Sequence, residues 1–270
     1  MVRPPQVRHA ARGLNRRATE RMEQLFDHFA NLTSRFPVQI HRFDIAGRTL
    51  DITAPKDPDS LLDDPETEQR YKKDNYLPYW PVIWPSSLML AHRIAVSGDS
   101  PPALPAAAAE RPRVLELGCG LGIAGVVAGW RGWHVTFTDY DREAVEFARF
   151  NAIRNGLAVD AVAMFEMDWR NPVDAEFDWI IASDVLYERR LHSILLDAID
   201  HLLAPQGVVW ISDPQRNSAS DFPPVAVERG FRIAHCMLKW TGPSGVNSDA
   251  DLLILSRINK SAAVQKVVIQ

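Results

Sequence analysis

The chain has 270 residues, 46% of them hydrophobic, and a formal net charge of −4 at pH 7, which suits one large domain with an extension and excludes a general electrostatic affinity for polyanions. No apolar run is long enough to span a membrane and no secretory signal is recognised, so we expect no membrane contact. The two cysteines, Cys119 and Cys236, are expected to be reduced, and together these features predict a cytoplasmic protein.

Residues 1–21 form a basic segment with six arginines and a single acid, Glu20. Such a composition is typical of a solvated terminal arm, and a docking element for nucleic acid or an acidic partner is the alternative. A helix is predicted over residues 19–32. Two β-rich runs, residues 38–43 and 48–53, flank a short turn and predict a hairpin.

The stretch that follows the hairpin is predicted to complete an N-terminal extension. Residues 57–68 are acidic and contain two prolines, so they are expected to form an exposed loop, and their acids lack the ligand spacing of a calcium site. The hairpin and residues 80–91 are predicted to form a cap over a ligand pocket. A Pro- and Ala-rich stretch, residues 97–111, is expected to link the extension to the next domain.

The segment over residues 114–122 reads Val-Leu-Glu-Leu-Gly-Cys-Gly-Leu-Gly and precedes a helix-like run over residues 123–130. Glycines at alternate positions let the backbone turn sharply and approach a ligand closely. In the dinucleotide fingerprint the last glycine falls one position later, and Glu116 would repel the pyrophosphate that such a loop binds. The segment therefore favours a nucleoside-bearing, positively charged cofactor, with a tight turn of some other α/β protein as the alternative.

The next strand-like run, residues 134–139, ends in an acid, Asp139. A carboxylate at the end of the second strand of a parallel sheet is well placed to bind the two hydroxyls of a ribose. The alternative is that Asp139 is the N-cap of the helix predicted over residues 143–155.

Two more runs end close to acidic residues. Residues 161–166 lead to Asp168, and the apolar run over residues 177–183, which is typical of a buried parallel strand, leads to Asp184. Because the carboxyl ends of parallel strands line one crevice, we expect these acids, Asp139 and the glycine loop to converge at one edge of the sheet.

The rest of the chain continues the alternation of strands and helices. A Gly-, Pro-, Ser- and Asn-rich stretch over residues 241–250 predicts the turn of an antiparallel hairpin. The pattern predicts an α/β fold with a doubly wound, Rossmann-like, seven-stranded sheet whose last strand is antiparallel. The remaining predicted elements are a helix over residues 191–203 and strands over residues 207–212, 231–237 and 251–256.

These motifs together resemble those of the class I, seven-β-strand S-adenosylmethionine-dependent methyltransferases over about residues 112–258. Within that class, the aromatic block Trp80-Pro-Val-Ile-Trp84-Pro and the Asp184-x-x-Tyr187 element resemble the methyltransferase-like protein-lysine methyltransferase group. The resemblance is carried by Glu116, Gly118, Gly120, Gly122, Asp139, Asp168, Trp169, Asp184 and Tyr187.

The resemblance implies S-adenosyl-L-methionine as the cofactor and a role for each matching residue. Asp184 would orient or briefly hold the methyl-accepting amine, and the ring of Tyr187 would shape its channel by cation-π contact. Asp168 and Trp169 would flank the adenine, and Trp84 would close the pocket. The methionine end would be held by Glu116, Gly118, Cys119, Gly120 and Gly122, the ribose by Asp139, and Ser183 is placed with the other cofactor-binding residues.

The implied acceptor is a lysine side-chain amine of a protein substrate. The Asn/Asp-Pro-Pro-Tyr element of nucleobase N-methyltransferases is absent after the fourth strand, where Asp184-Val-Leu-Tyr187 stands, and this argues against a nucleic-acid substrate. A small-molecule N- or O-methyltransferase shares every cofactor residue and stays open, as does a non-enzymatic cofactor-binding protein. No Cys/His cluster has zinc spacing, so no metal is expected.

These observations predict four parts of the chain. They are a basic arm (residues 1–21), an N-terminal extension and cap (22–111), an S-adenosylmethionine-binding domain (112–258) and a C-terminal tail (259–270).

Overall fold

The computed structural model describes residues 27, 29–30, 32–34, 36–97, 112–241 and 247–258. The predicted basic arm, almost all of the predicted linker and the C-terminal tail lie outside these residues. So does most of the predicted helix over residues 19–32, although its described residues are helical. Among the described residues, no helix combines the length and the apolar character needed to cross a membrane.

From residue 113 onward the strands are followed by helices, except Val162–Glu166 and Phe231–Thr241, each of which is followed by another strand. The helices are α1 Pro65–Asp74, α2 Pro85–Val96, α3 Ile123–Gly129, α4 Arg142–Arg154, α5 His192–Leu202 and α6 Phe222–Glu228. The strands are β1 Val38–Ile45, β2 Arg48–Pro55, β3 Arg113–Leu117, β4 His134–Asp139, β5 Val162–Glu166, β6 Phe177–Ser183, β7 Leu203–Asp213, β8 Phe231–Thr241 and β9 Asn247–Arg257.

Strands β3 to β9 form one seven-stranded sheet in the order β5-β4-β3-β6-β7-β9-β8. Neighbours from β5 to β7 are parallel, and β9 is antiparallel to both β7 and β8. The predicted doubly wound, Rossmann-like sheet with an antiparallel last strand is therefore confirmed. The chain leaves β3 toward β4 on one side and later returns to β6 on the other, which opens a crevice at the carboxyl ends of these strands.

The sheet separates two hydrophobic cores, and β6 contributes to both. Trp179 and Ile181 of this strand pack with α2, α3 and α4, whereas Ile180 and Ala182 pack with α5 and α6. All four side chains are fully buried. Burial on both faces explains why this strand is a continuous apolar run rather than an alternating one.

The prediction of a loop over residues 57–68 is wrong, although the stretch is largely exposed as expected. This stretch contains a 3-10 helix, Pro58–Asp63, and the beginning of α1. Each proline is the first residue of a helix, where the missing N–H costs no intrahelical hydrogen bond and the fixed φ suits the helical backbone. The prolines therefore mark two helix starts instead of an irregular chain.

The hairpin β1–β2 packs against α4 through two asparagines one helical turn apart. The Asn151 side chain accepts a hydrogen bond from the Thr53 backbone N–H (2.8 Å) and donates to the Thr53 and Leu121 carbonyls (3.1 and 3.0 Å). Asn155 pairs in the same way with the backbone of Asp51 (3.0 and 2.8 Å). These side-chain amides bond the backbone groups of β2 that a neighbouring strand would otherwise bond. Asn151 also connects the hairpin to the glycine loop through the Leu121 carbonyl.

Candidate active site

One cavity lies at the carboxyl ends of β3, β4, β5 and β6. Residues from the range 74–87, which runs from the end of α1 to the first turn of α2, form its other wall, whereas no residue of the hairpin lines it. Of the site residues predicted from the sequence, only Glu116 and Gly122 are absent from the lining. Those that line it are Trp84, Gly118, Cys119, Gly120, Asp139, Asp168, Trp169, Ser183, Asp184 and Tyr187.

The loop that follows β3 forms the floor of this cavity. Its three glycines have left-handed φ angles of 61°, 50° and 77°. At Gly120, a Cβ atom would lie 3.1 Å from the backbone oxygen of Trp80, and at Gly122 it would lie 2.8 Å from Cβ of Ala148 on α4. A side chain at either position would be strained by the backbone angle and crowded by its neighbours. Gly120 thus lets the loop pass beneath the Trp80 segment, and Gly122 lets α3 pack on α4.

Glu116 lies behind the loop, with 2% of its surface exposed. Its carboxylate accepts a hydrogen bond from the Gly125 N–H at 3.0 Å, at the start of α3. Burial raises its pKa to about 8, although hydrogen bonds from the Gly125 and Ala124 amides oppose the shift. The structure therefore joins Glu116 to the helix that follows the loop, and its direct contact with a methionine group stays a prediction.

Glu116 should make the stability of the unliganded protein depend on pH. Because its folded-state pKa of about 8 exceeds its ordinary value of 4.5, the folded protein binds this proton more tightly, and the free energy of unfolding falls as pH rises from 4.5 to 8. Asp139, with a pKa raised to about 7, acts in the same direction. Between pH 6 and pH 8 the free energy of unfolding should fall less in Glu116→Gln than in wild type, by at least about 1 kcal/mol, because glutamine is neutral at every pH. Urea unfolding of both proteins at the two pH values measures this, and equal losses would contradict it.

Asp139 lines the cavity beside the glycine loop and is 9% exposed. One carboxylate oxygen accepts the Gly120 N–H at 2.8 Å and the other accepts the Asp141 N–H at 3.0 Å. The Tyr140 amide is a third backbone donor to this carboxyl group, which leaves one acceptor position that a hydroxyl could use. The N-cap of α4 is Asp141 rather than Asp139, so the alternative of a simple helix cap does not account for Asp139.

A cluster that the sequence did not predict holds residues 70–76 against the end of β4. Arg70 pairs with Asp141 at 2.7 Å, and the Tyr76 hydroxyl donates a hydrogen bond to the same carboxylate. The Arg70 guanidinium also lies 3.5 Å from the centroid of the Tyr76 ring. Tyr76 and Asp141 line the cavity, so this cluster fixes the wall beside Asp139. No short motif could have revealed it, because its members are distant in sequence.

Asp168 and Trp169 lie on the loop after β5, and Trp169 would contact a Cβ atom at Gly118 at 3.6 Å. Arg170 forms an ion pair with the Asp168 carboxylate at 2.8 Å. Partial burial alone would raise the pKa of Asp168, but the hydrogen bonds from Arg170 lower it overall. Asp168 is thus a charged acceptor beside a flat aromatic ring.

Asp184 follows β6 with a left-handed φ of 61° and is 7% exposed. The Ser86 hydroxyl donates a hydrogen bond to its carboxylate, and Nη2 of Arg216 lies 2.7 Å from its other oxygen. Burial raises its pKa to about 6, and the positive charge of Arg216 limits the rise. Asp184 is therefore largely ionised at pH 7. Ser86 and Arg216 are not among the site residues predicted from the sequence, since neither belongs to the motif that contains Asp184.

Three aromatic side chains surround the mouth of the cavity near Asp184. The rings of Tyr79 and Tyr187 meet edge to face at 5.2 Å, and those of Tyr79 and Trp84 at 6.3 Å. The Trp84 indole N–H donates to the Tyr79 carbonyl at 3.2 Å. Burial raises the pKa of Tyr187 above its ordinary value, so this phenol stays neutral at physiological pH and is not a base. We call Tyr79, Trp84 and Tyr187 the aromatic rim.

The cavity thus has an inner part with carboxylates and close-packed backbone and a mouth with one carboxylate under aromatic rings. This arrangement suits a ligand with hydroxyl groups and a positive charge, and a second cationic group at the mouth. Within the part of the chain that the structure describes, no three His, Cys, Asp or Glu side chains are grouped so that they could hold a metal ion.

Comparison with known proteins identifies a family that shares this region. A family model described as lysine methyltransferase matches residues 74–222. The chain is 29% identical over 140 residues to the protein N-lysine methyltransferase METTL21A of Xenopus tropicalis, a match that covers 50% of this chain and 60% of that protein. It is 29% identical over 143 residues to the protein-lysine methyltransferase METTL21E of Bos taurus, covering 49% and 47%.

A third relative has a different kind of name, the ubiquinone biosynthesis O-methyltransferase of Xylella fastidiosa strain 9a5c. It is 32% identical over 108 residues, a match that covers 40% of this chain and 44% of that protein. The chain thus spans between 44% and 60% of the lengths of these curated relatives. Among solved structures, a ribosomal protein L11 methylase from Lactobacillus delbrueckii subsp. bulgaricus is 23% identical with a TM-score of 0.47, covering 64% of this chain and 77% of that one.

Proposed function

The chain belongs to the lysine methyltransferase family, and from this membership and the geometry of the cavity we propose that it transfers a methyl group from S-adenosyl-L-methionine to a lysine side chain of a protein. The observation that carries the proposal is the buried, ionised Asp184 beneath the aromatic rim, at the mouth of a cavity whose floor is the glycine loop. This places an anion where a cationic amine would enter.

The residues of the inner cavity fit the cofactor. Gly120 passes so close to Trp80 that a side chain there would crowd the floor, and Asp139 keeps an acceptor position for a ribose hydroxyl. Trp169 offers a flat surface to the adenine, with Asp168 beside it, and Gly118, Cys119, Trp84 and Ser183 complete the lining. We assign Glu116 and Gly122 an indirect role, in which they shape the loop through α3 and α4.

When bound, the cofactor supplies an electrophilic methyl group, whose bond to sulfur breaks as its bond to the lysine nitrogen forms. The protein must therefore align a neutral amine and exclude water. A lysine ammonium has an ordinary pKa of about 10.4, so proton transfer to Asp184, whose pKa is about 6, is unfavourable by ~6 kcal/mol. Asp184 accordingly orients the amine, the apolar rim lowers the ammonium pKa, and the proton leaves to solvent.

A small-molecule acceptor is the second candidate. The match to an O-methyltransferase of ubiquinone biosynthesis supports it, although that match spans only 108 residues. The two candidates share the cofactor residues and differ at the aromatic rim and Asp184. A charged carboxylate at the mouth favours an amine over a phenol, because a phenolate would be repelled.

The proposal extends to the organisation of the chain. Residues 112–258 form the cofactor-binding domain, and residues 22–111 form an extension whose residues 74–87 cap the pocket, as the lining of the cavity supports. The arm over residues 1–21 and the tail over residues 259–270 flank them. We place the protein in the cytoplasm, in agreement with two cysteines that form no disulfide among the described residues.

Labelling with a tritiated methyl donor tests the proposal. The purified chain is incubated with a cell lysate and labelled S-adenosylmethionine, and the product is separated into protein and small-molecule fractions. We expect the label in protein, on a lysine that mass spectrometry then identifies. Label confined to the small-molecule fraction would favour the second candidate, and calorimetric absence of cofactor binding would overturn both.

A further inference from the structure

The turn after β7 directs one arginine toward the acceptor end of the cavity. Gln215 has a left-handed φ of 62°, and its side-chain amide donates to Asp251 on β9 at 3.0 Å. The next residue, Arg216, donates its backbone N–H to the Asp213 carboxylate at 2.8 Å. This turn reverses the chain, so that the Arg216 side chain reaches the end of β6 instead of solvent.

The Arg216 guanidinium joins three groups at this position. Its nitrogens lie 2.7 Å from the Asp184 carboxylate and 3.1 Å from that of Asp213, and its carbon lies 5.5 Å from the centroid of the Trp84 ring. The side chains of Asp184 and Asp213 are 6% and 1% exposed, and that of Arg216 is 25% exposed. The contact with Asp213 is a hydrogen bond, whereas the contact with Asp184 is an ion pair without hydrogen-bond geometry. The planar guanidinium is thus fixed by Asp213 and acts on Asp184 through its charge, from a position that a flexible ammonium would not hold as well.

We infer that Arg216 is a positioning residue for methyl transfer, which orients the Asp184 carboxylate toward the acceptor and keeps it ionised by compensating the charge of Asp213. The role in methyl transfer rests on the proposed function. The contacts of Arg216 with Asp184 and Asp213 do not depend on it. Arg216 does not line the cavity, so it acts through Asp184 and Trp84 rather than on the acceptor itself.

The charges explain why such a residue is needed. Asp184 and Asp213 together carry two negative charges in a buried region, and the one positive charge of Arg216 leaves a net charge of −1 to attract a cationic amine. Without Arg216, the negative charges of the two buried carboxylates would repel each other, and one carboxylate would retain a proton. A protonated Asp184 would no longer attract an ammonium.

The other groups around Asp184 do not supply this compensation. From α2, the group that contacts it is the neutral Ser86 hydroxyl. The ionisable residues that line the cavity on its own loop are Tyr187, Glu188 and Arg190, and Arg190 is paired with Glu188. Across the cavity lies the acid Asp139. Arg216 also opposes the effect of burial on the pKa of Asp184, which agrees with this assignment.

The test compares Arg216→Gln and Arg216→Lys with wild type by NMR titration of ¹³C-labelled aspartate carboxyls, with Asp184→Asn to assign the signal. In R216Q we expect the pKa of Asp184 to rise by at least about one unit, and in R216K by less than about half a unit. In the methylation assay, R216Q should lower kcat at pH 7 by at least tenfold, move the acidic limb of the pH profile to higher pH, and leave the Kd for S-adenosylmethionine within about threefold.

The matched control is Arg42→Gln, because Arg42 pairs with Asp51 within the hairpin, away from the cavity, and its side chain is 72% exposed. This control should change neither the titration nor kcat. An unchanged Asp184 pKa in R216Q would overturn the inference while leaving the proposed function intact. Absence of methyl transfer by wild type would instead overturn the proposed function, and the titration would still report on the inference. If R216Q does not fold, R216K supplies the test. A rise of the Asp184 pKa by a full unit in R216K would overturn the inference.

Discussion

Asp184→Asn is expected to lower kcat for protein methylation by at least about 100-fold and to change the Kd for S-adenosylmethionine by less than about threefold. Asparagine keeps the shape of the side chain and can still accept the Ser86 hydrogen bond, but it carries no charge to attract and orient the amine. The cavity floor and Asp139, which are assigned to the cofactor, are untouched by this change.

Single-turnover kinetics with the identified protein substrate would measure the loss of activity, and calorimetry would measure cofactor affinity. Asp160→Asn is a matched control, because Asp160 is exposed and lies away from the cavity lining. A variant that binds the cofactor much more weakly would reassign Asp184 to the cofactor pocket. Full activity would show that the carboxylate has no part in the reaction.

Asp139→Ala is expected to have the largest effect on the cofactor, with a Kd for S-adenosylmethionine raised by about 10- to 100-fold. Two causes combine. The ribose loses hydrogen bonds to a buried carboxyl group whose pKa is about 7, each worth about 0.5–1.5 kcal/mol, and the Gly120 N–H loses the partner that holds the loop at 2.8 Å. The demethylated product keeps the same ribose, so its affinity should fall in parallel.

Calorimetric titration with both nucleosides measures this effect, and thermal unfolding of the unliganded protein separates the two causes. Asp139→Asn keeps an oxygen that can accept the Gly120 N–H and should therefore preserve the loop better than alanine does. If the affinity for both nucleosides were unchanged in the alanine variant, Asp139 would be a structural residue of the loop only.

Much of the site could be predicted from the sequence because it depends on local patterns and one topological rule. The apolar run of β6 and the alternation of strands and helices predict a parallel sheet, and the ends of its strands must share an edge. That rule alone brings Asp139, Asp168 and Asp184 to the cavity that the structure shows. The glycine spacing after β3 likewise predicts a close approach of the backbone.

Other features were missed because they depend on side-chain direction or distant contacts. From the sequence, Glu116 is expected to hold the methionine end of the cofactor, but the direction of its carboxylate, toward Gly125 behind the loop, follows only from the fold. Arg70 and Asp141 form an ion pair although they lie 71 residues apart and neither belongs to a motif. The role of the hairpin also differs, since it packs on Asn151 and Asn155 rather than over the cavity.

The sequence by itself therefore determined the sheet, the glycine loop and which acids lie at its edge, because hydrophobic periodicity and strand order follow from short segments of chain. Only the tertiary structure decided how those acids are charged and aimed. Asp184 owes its environment to Ser86 on α2 and Arg216 after β7. Such contacts form when burial forces polar groups from distant elements to satisfy one another, and no local pattern encodes which groups will meet.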